Sequence, residues 1–339
     1  MELRWIELQR KNPALTSPYF HPKFASIIAH ERDNAELAVI EEANKVVALL
    51  PFQRMSGGVG VPMGHFLSDY HGLICEPTFH CDPRELLRKC RLIAWDFDHL
   101  IASQGCFAPF HQEVEPSPQI NLSNGFDAYC REKSCVKTEQ IKVRKIERDY
   151  GPLRFVPHSD NQADLQQLLT WKSQQYIRTG KQDIFTLSWT TSILREIHKI
   201  QDRYFAGVLS LLYAGDRLVA LHFGIRSETL LHSWFPAYDP QMKAYSPGLI
   251  LLLKLAEHAS SLGISTIDLG KGMYEHKQRF MNASVPVASG SVEVASWLHT
   301  RRTLRRKLRW LAERLHVDQP ARSLFHALLH RKRSLGSRR

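Results

Sequence analysis

YSPGLILLLKLAEHASSLGISTIDLGKGMYEHKQRF, residues Tyr245–Phe280, decides how the chain is built. Ser246, Pro247 and Gly248 make a tight corner, with the proline pre-set in φ for the first helical position. From Leu249 to Leu262 apolar residues run almost all round, interrupted by Lys254, Glu257 and His258. That pattern predicts a helix laid against a sheet and mostly covered. Gly263 supplies the stop. Ile264–Leu269 predicts a short buried strand, Gly270 and Gly272 break it, and a short second helix follows to Phe280. Upstream, the aromatic and apolar run Leu230–Tyr238 (LLHSWFPAY) predicts another strand. A long helix thus opens between two strands, just after a small-residue corner. Its first N–H groups and positive dipole end suit a phosphate.

At this corner the residues resemble the GNAT acyltransferases, whose Arg/Gln-x-x-Gly-x-Gly/Ala signature wraps the pyrophosphate of acyl-coenzyme A. The matching positions are Lys243, Ser246 and Gly248: one glycine is kept, one is serine, and the first position is basic. Two further stretches look like one branch, the CelD-like group associated with bacterial cellulose and exopolysaccharide production and related to the FemAB-like aminoacyltransferases. Trp171-Lys172-x-x-Gln175-Tyr176, then Arg178-Thr179-Gly180, Phe185 and Trp189, is similar to its entry helix. Asp268, Gly270, Gly272, Tyr274 and Lys277 are similar to its closing Asp-x-Gly-x-Gly segment, with Glu275 and His276 between Tyr and Lys. The resemblance is good over 157–297 and looser before. It implies an α/β protein of two tandem GNAT-like domains, each a mixed sheet flanked by helices. The expected boundaries are 1–150, 151–298 for the acyltransferase domain, and 299–339 for a basic helical tail.

Length allows two ordinary domains, and an apolar fraction of 43% supports real cores. No run of 18 apolar residues exists, so no membrane-spanning helix is expected, and MELRWIELQRKNP has no signal pattern. Six cysteines scattered over the first half form no Cys-x-x-Cys pair, which points to reduced, buried thiols and a cytoplasmic protein. The net charge of +11 is uneven: residues 299–339 hold 13 Lys/Arg against 2 Asp/Glu, leaving 32 of each sign elsewhere.

Along the chain, strands are expected at Leu3–Leu8, Glu36–Ile40, Lys45–Phe52, Phe107–Phe110, Gln119–Leu122 and Val143–Tyr150. Helices are expected at Pro83–Ser103 and Phe126–Lys133. MSGGVGVPMG, residues 55–64, is Gly-rich, but Pro62 interrupts it and no Gly-Lys-Ser/Thr follows, so an ordinary loop is expected. Ser68-Asp69-Tyr70-His71 behind it resembles a polar patch of the CelD-like group. Then come helices at Leu165–Thr179 and Thr190–Ile200, and a hairpin of Ala206–Tyr213 and Leu218–Ile225 around Gly215-Asp216. A last strand is expected at Gly290–Trp297. In the tail, Leu304, Leu308, Leu311 and Leu315 share one helical face among arginines. It reads as a packed C-terminal helix, or as a docking element for an anionic membrane surface or a synthase partner.

Acyl transfer needs a held donor, a polarised carbonyl and a deprotonated acceptor. The resemblance implies acetyl-coenzyme A or another acyl-coenzyme A as co-substrate, held by Lys243, Tyr245, Ser246, Gly248 and Leu249, with Phe235 and Tyr238 on the preceding strand. A backbone N–H of that strand would polarise the thioester, although Pro236 removes one such donor. Tyr274 stands where these enzymes often place the acid that protonates the leaving thiolate; it reads equally as an aromatic filling a corner. Asp268, His222, His232 and Glu275 are candidate bases. Asp268 sits at a strand end beside two glycines, from which it is expected to reach a cleft. The two histidines lie on apolar strands, where a structural role is commoner. Lys172, Tyr176, Lys277, Asp69 and Tyr70 are expected to contact the acceptor, a saccharide or another amine or hydroxyl. No metal site is expected: His80, Cys81 and Cys90 lack a fourth ligand. The alternatives are transfer from aminoacyl-tRNA, for which the basic tail speaks, and a non-catalytic scaffold of a polysaccharide synthase.

Overall fold

The computed structural model describes residues 1–294. The chain divides into two compact units, Met1–Val292 and Glu293–Arg339. The first is described below; the expected tail helix lies outside the described residues. Its first half runs α1 (Glu2–Lys11), α2 (Pro22–Glu31), β1 (Ala35–Glu42), β2 (Lys45–Met55), β3 (Val59–Pro62), β4 (Ile74–Cys75), α3 (Pro83–Lys89), β5 (Ala94–Ile101), β6 (His111–Asn121), α4 (Phe126–Glu132) and α5 (Cys135–Tyr150). The second runs β7 (Leu153–Val156), α6 (Gln162–Arg178), α7 (Ser188–His198), β8 (Ala206–Ala214), β9 (Arg217–Arg226), β10 (Leu230–Tyr238), α8 (Pro247–His258), β11 (Thr266–Asp268), α9 (Glu275–Phe280) and β12 (Ala283–Glu293).

These strands make one mixed sheet in the order β1-β2-β3-β5-β12-β6-β11-β10-β9-β8-β7, with β4 beside β2. The two halves therefore share a sheet, and β6 of the first half pairs antiparallel with both β11 and β12. The expected boundary at 150 falls at the end of α5, inside this unit.

The second half folds as its pattern demands. β8 directs Leu209 and Leu211 into one buried cluster and Val208 and Leu212 into the other. Strands covered on both faces have no polar side to alternate with, hence their continuous apolar runs. On one face α6 and α7 contribute Leu168, Ile193 and Ile197; on the other α5 and α8 contribute Ile146, Ile250, Leu251 and Leu255. Each such side chain stabilises the fold by about 1.5–3 kcal/mol relative to exposure.

The first half corrects several expectations. Leu3–Leu8 is helical: Trp5 and Leu8 are buried three residues apart, while Leu3 is 85% exposed. Pro83–Ser103 is a helix only to Lys89, and after Arg91, at φ +52, the chain leaves as β5. Val143–Tyr150 belongs to helix α5, whose buried Val136 and Ile146 lie ten residues apart, near three full turns. Phe107–Phe110 lies in a 3-10 turn, and the final strand begins at Ala283 rather than Gly290. Of the cysteines, Cys75 is buried, while Cys81, Cys90, Cys106 and Cys130 are half-buried. Among the described residues no helix is long and apolar enough to cross a membrane.

Candidate active site

β10 and β11 run parallel and pair only from Leu230 to His232 with Thr266 to Asp268. Beyond that point they part. β10 continues along β9 through an irregularity between His232 and Phe235. The chain after Asp268 turns away through Gly270 and Gly272, at φ +75 and +98, where an L side chain would be strained. Between the parted strands opens a cavity of about 670 Å³. Ser233, Trp234, Pro236 and Tyr238 of β10 line one side; Lys243, Ser246, Gly248 and Leu249 line the corner. Asp69 and His99 come from the first half, and Gly270, Lys271, His276 and Lys277 from the segment after β11.

At one end the cavity meets the N-terminus of α8. Ser246 caps it in the left-handed region, at φ +53, without a side-chain capping bond. Its Oγ instead accepts from Lys142 Nζ of α5 at 3.1 Å. Lys142 is held by buried Glu139 at 3.1 Å, which also pairs with Arg279 at 3.2 Å. An ammonium and a helix N-terminus thus meet at one corner, a combination that favours an anion. Lys142 escaped the sequence reading because it lies 104 residues from Ser246, just before a segment read as strand. A Cβ on Gly248 would touch only Tyr238, at 3.6 Å, so nothing but that ring bounds the space beside it.

At the other end lies a buried ionic cluster. His232, fully buried, has Nδ1 3.0 Å from Asp268 Oδ1 and Nε2 2.9 Å from Asp69 Oδ2. Asp268 also accepts from Tyr70 Oη at 2.5 Å, Gln119 Nε2 at 2.9 Å, the Gly270 amide at 2.8 Å and Ser117 Oγ at 3.3 Å. Burial pushes the His232 pKa down, but its hydrogen bonds to Asp268 and Asp69 outweigh this and raise it to about 9. Burial pushes both carboxyls up, and the bonds and charge of His232 outweigh that too, holding them below the usual range. The result is an imidazolium between two carboxylates.

Two sequence expectations change here. Asp268 does not reach the cleft: it is fully buried and saturated with donors, whereas Asp69, with its side chain 27% exposed, faces the cavity. Tyr274 is 61% exposed, stacked on His276 and beneath Lys277, and is not part of the cavity wall. His222 does line the cavity. Its Nε2 lies 3.0 Å from Ser233 Oγ, its buried Nδ1 has no partner among the described residues, and burial lowers its pKa to about 3. Lys243, Ser246, Gly248, Leu249, Tyr238 and Lys277 also line it.

Phe235 and Tyr245 are elsewhere, in the core and against Asp149 at 2.8 Å. Lys172 is buried outside the wall, with Nζ donating to Pro236 O at 3.0 Å and a pKa lowered by burial to about 8. It anchors the second half of β10. Tyr176 packs on Phe185, and Tyr70, which is not part of the cavity wall, donates to Asp268. Lys277 Nζ binds the carbonyls of Gly270 and Lys271, each at 2.9 Å, and holds the turn.

A sheet splayed beside a helix N-terminus has known counterparts. Residues 134–278 match the Acetyltransferase (GNAT) domain family. The GNAT segment begins at the N-cap of α5 and so takes in Lys142, the corner and the cavity wall from Gln175 to Lys277, while Asp69 and His99 lie outside it. No curated protein matches the sequence. Among solved structures, FemX superposes with a TM-score of 0.57 at 10% identity, over 86% of this chain and 95% of its own. The C-terminal domain of a protein assigned as a lysylphosphatidylglycerol synthetase from Agrobacterium fabrum gives 0.54 at 11%, over 85% and 90%. At such identities the likeness is one of fold, and it extends well before the GNAT segment.

Proposed function

We propose that this protein transfers an acyl group from acyl-coenzyme A to an amine or hydroxyl of a saccharide-type acceptor in exopolysaccharide or cell-envelope synthesis. One observation carries the reading: a single cavity links the cationic corner of α8 to the carboxylate of Asp69. The pyrophosphate of the donor sits at Ser246–Leu249, with Lys142 and Lys243 beside it. Its thioester lies along β10, near the irregularity at Ser233–Trp234. The acceptor enters against Asp69, whose carboxylate, fixed by His232, orients the attacking N–H or O–H. A carboxylate with a lowered pKa is a weak base, so its share is mainly orientation. The nucleophile adds to the thioester carbonyl, and the carbon–sulfur bond then breaks. The acceptor's proton passes by way of solvent to the departing thiolate, which leaves as coenzyme A thiol. His222, neutral at physiological pH, holds Ser233 at the bulge. The charge of residues 299–339 would bring the protein to an anionic cytoplasmic membrane face or to a synthase partner.

The experiment is a thermal titration of the full chain with acetyl-coenzyme A, longer acyl-coenzymes A and free coenzyme A, for wild type and Gly248→Trp. A ligand that binds only the folded state raises the midpoint. A rise in wild type that Gly248→Trp abolishes supports the reading, since an indole at Gly248 fills the corner. No rise at millimolar ligand overturns it. The second reading, a donor carried on tRNA, is favoured by the basic tail. Salt-dependent binding of charged tRNA without any coenzyme A response would select it.

A further inference from the structure

We infer that His71, Asp98 and His99 form a binding site for one divalent transition-metal ion of the zinc type, beside the cavity. The inference is independent of the acyl-transfer reading. Asp98 and His99 are successive residues of β5, and His71 lies on the segment between the Gly-rich loop and β4, bridged to Leu100. One ligand atom from each side chain falls within 4.8 Å of the other two. Asp98 Oδ1 is 3.1 Å from His99 Nδ1 and 3.5 Å from His71 Nδ1. Ligand atoms about 2.0–2.2 Å from a shared ion stand at such separations.

The second nitrogen of each imidazole supports the same assignment. His71 Nε2 lies 2.8 Å from the Ser68 carbonyl, which can only accept, so the proton sits on Nε2 and the Nδ1 lone pair is left for a ligand. That lone pair meets only a long 3.3 Å approach from the His99 amide, which a metal bond would outcompete. His99 Nε2 faces the Asp69 carboxylate at 3.8 Å. An imidazole backed by a carbonyl or carboxylate on its far nitrogen is the usual arrangement of a metal-bound histidine. His99 Nδ1 is buried and has no hydrogen-bond partner among the described residues, although Asp98 Oδ1 is near. The oxygen is close but not along the N–H direction, as two ligands of a common ion would be. Two imidazoles and one carboxylate suit zinc-type ions and leave coordination positions for water. The ion would tie the His71 segment to β5 and fix His99 next to Asp69.

The test uses chelator-stripped full-length protein titrated with Co²⁺ and, separately, Zn²⁺. Wild type is expected to bind one equivalent of Co²⁺ with visible absorption bands, and Zn²⁺ to raise its unfolding midpoint. His99→Ala and Asp98→Asn, both at partly exposed positions, are expected to lose at least tenfold in Co²⁺ affinity and to lose the Zn²⁺ shift. Their midpoints in chelator should match stripped wild type. No visible Co²⁺ complex in wild type would overturn the site. So would equal binding by wild type and both variants, which would place the ion on other histidines of the chain.

Discussion

His232 shares its ring nitrogens between Asp268, which solvent does not reach, and Asp69, which faces the cavity. Around it stand the Tyr19 and Tyr70 rings, 5.1 and 6.3 Å away, with His222 near in charge and Lys277 acting on both carboxylates. Its folded pKa of about 9 exceeds the ordinary 6.5, so the folded state holds this proton more tightly than the unfolded one. That stabilisation is complete below pH 6.5 and disappears as pH rises through 9. The unfolding midpoint should therefore fall by several degrees across this window, and His232→Asn should flatten the slope while lowering stability at pH 6.5. A midpoint that stays level or rises over the window would show that the histidine is not held charged. Asp69→Asn separates structure from chemistry at the same cluster. One oxygen can still accept from His232, so folding should persist. Turnover should drop on the order of 10²-fold, the cost of a misoriented acceptor, with little change in donor binding. Equal loss of donor binding would place Asp69 at the donor end instead.

At the scale of elements, the α8 corner combines strain with recognition. Ser246 at φ +53 carries the left-handed penalty of about 1–2 kcal/mol that glycine avoids. Ser246→Gly should thus raise the unfolding midpoint, yet weaken the donor through loss of the hydroxyl that meets Lys142. Stability and affinity moving together would break that link. Leu255→Ala, fully covered on α8, should cost about 2–5 kcal/mol in denaturant unfolding. This corner was legible in the sequence because its signals are local: Pro247 and Gly248 at a helix start, Gly263 at its end, and an unbroken apolar run between. The elements read wrongly were short or amphipathic. Val143–Tyr150 holds too few apolar residues to separate a period of 2 from one of 3.6, and the Lys142–Ser246 meeting went with it. Asp268 was expected to reach the cleft from its strand end and is instead fully buried. Its role was not readable, because it depends on Tyr70 and Gln119, 198 and 149 residues away, closing over it.

At the scale of the whole molecule, the site is built by both halves, and that bears on whether the second can stand alone. A fragment starting at 151 keeps α6–α9 and β7–β12 but loses β6, the partner on which β11 and β12 are both hydrogen-bonded. It loses α5, whose Ile146 packs in the cluster beneath α8. It also loses Tyr70, Gln119, Ser117 and Asp69, leaving Asp268 and His232 to face each other with most of their partners gone. Breaking a buried ionic cluster costs about 3–5 kcal/mol, a large part of what a domain has to spare. The exposed edge of β11 is in addition a surface that pairs with other chains. Fragment 151–339 should therefore be collapsed and aggregation-prone, with no cooperative melt by circular dichroism and poor amide dispersion by NMR. Residues 1–339 should melt with one main transition. A well-dispersed fragment spectrum with a sharp melt would instead show that residues 151–298 form a domain in their own right, and that β6 is an addition to a sheet already stable without it.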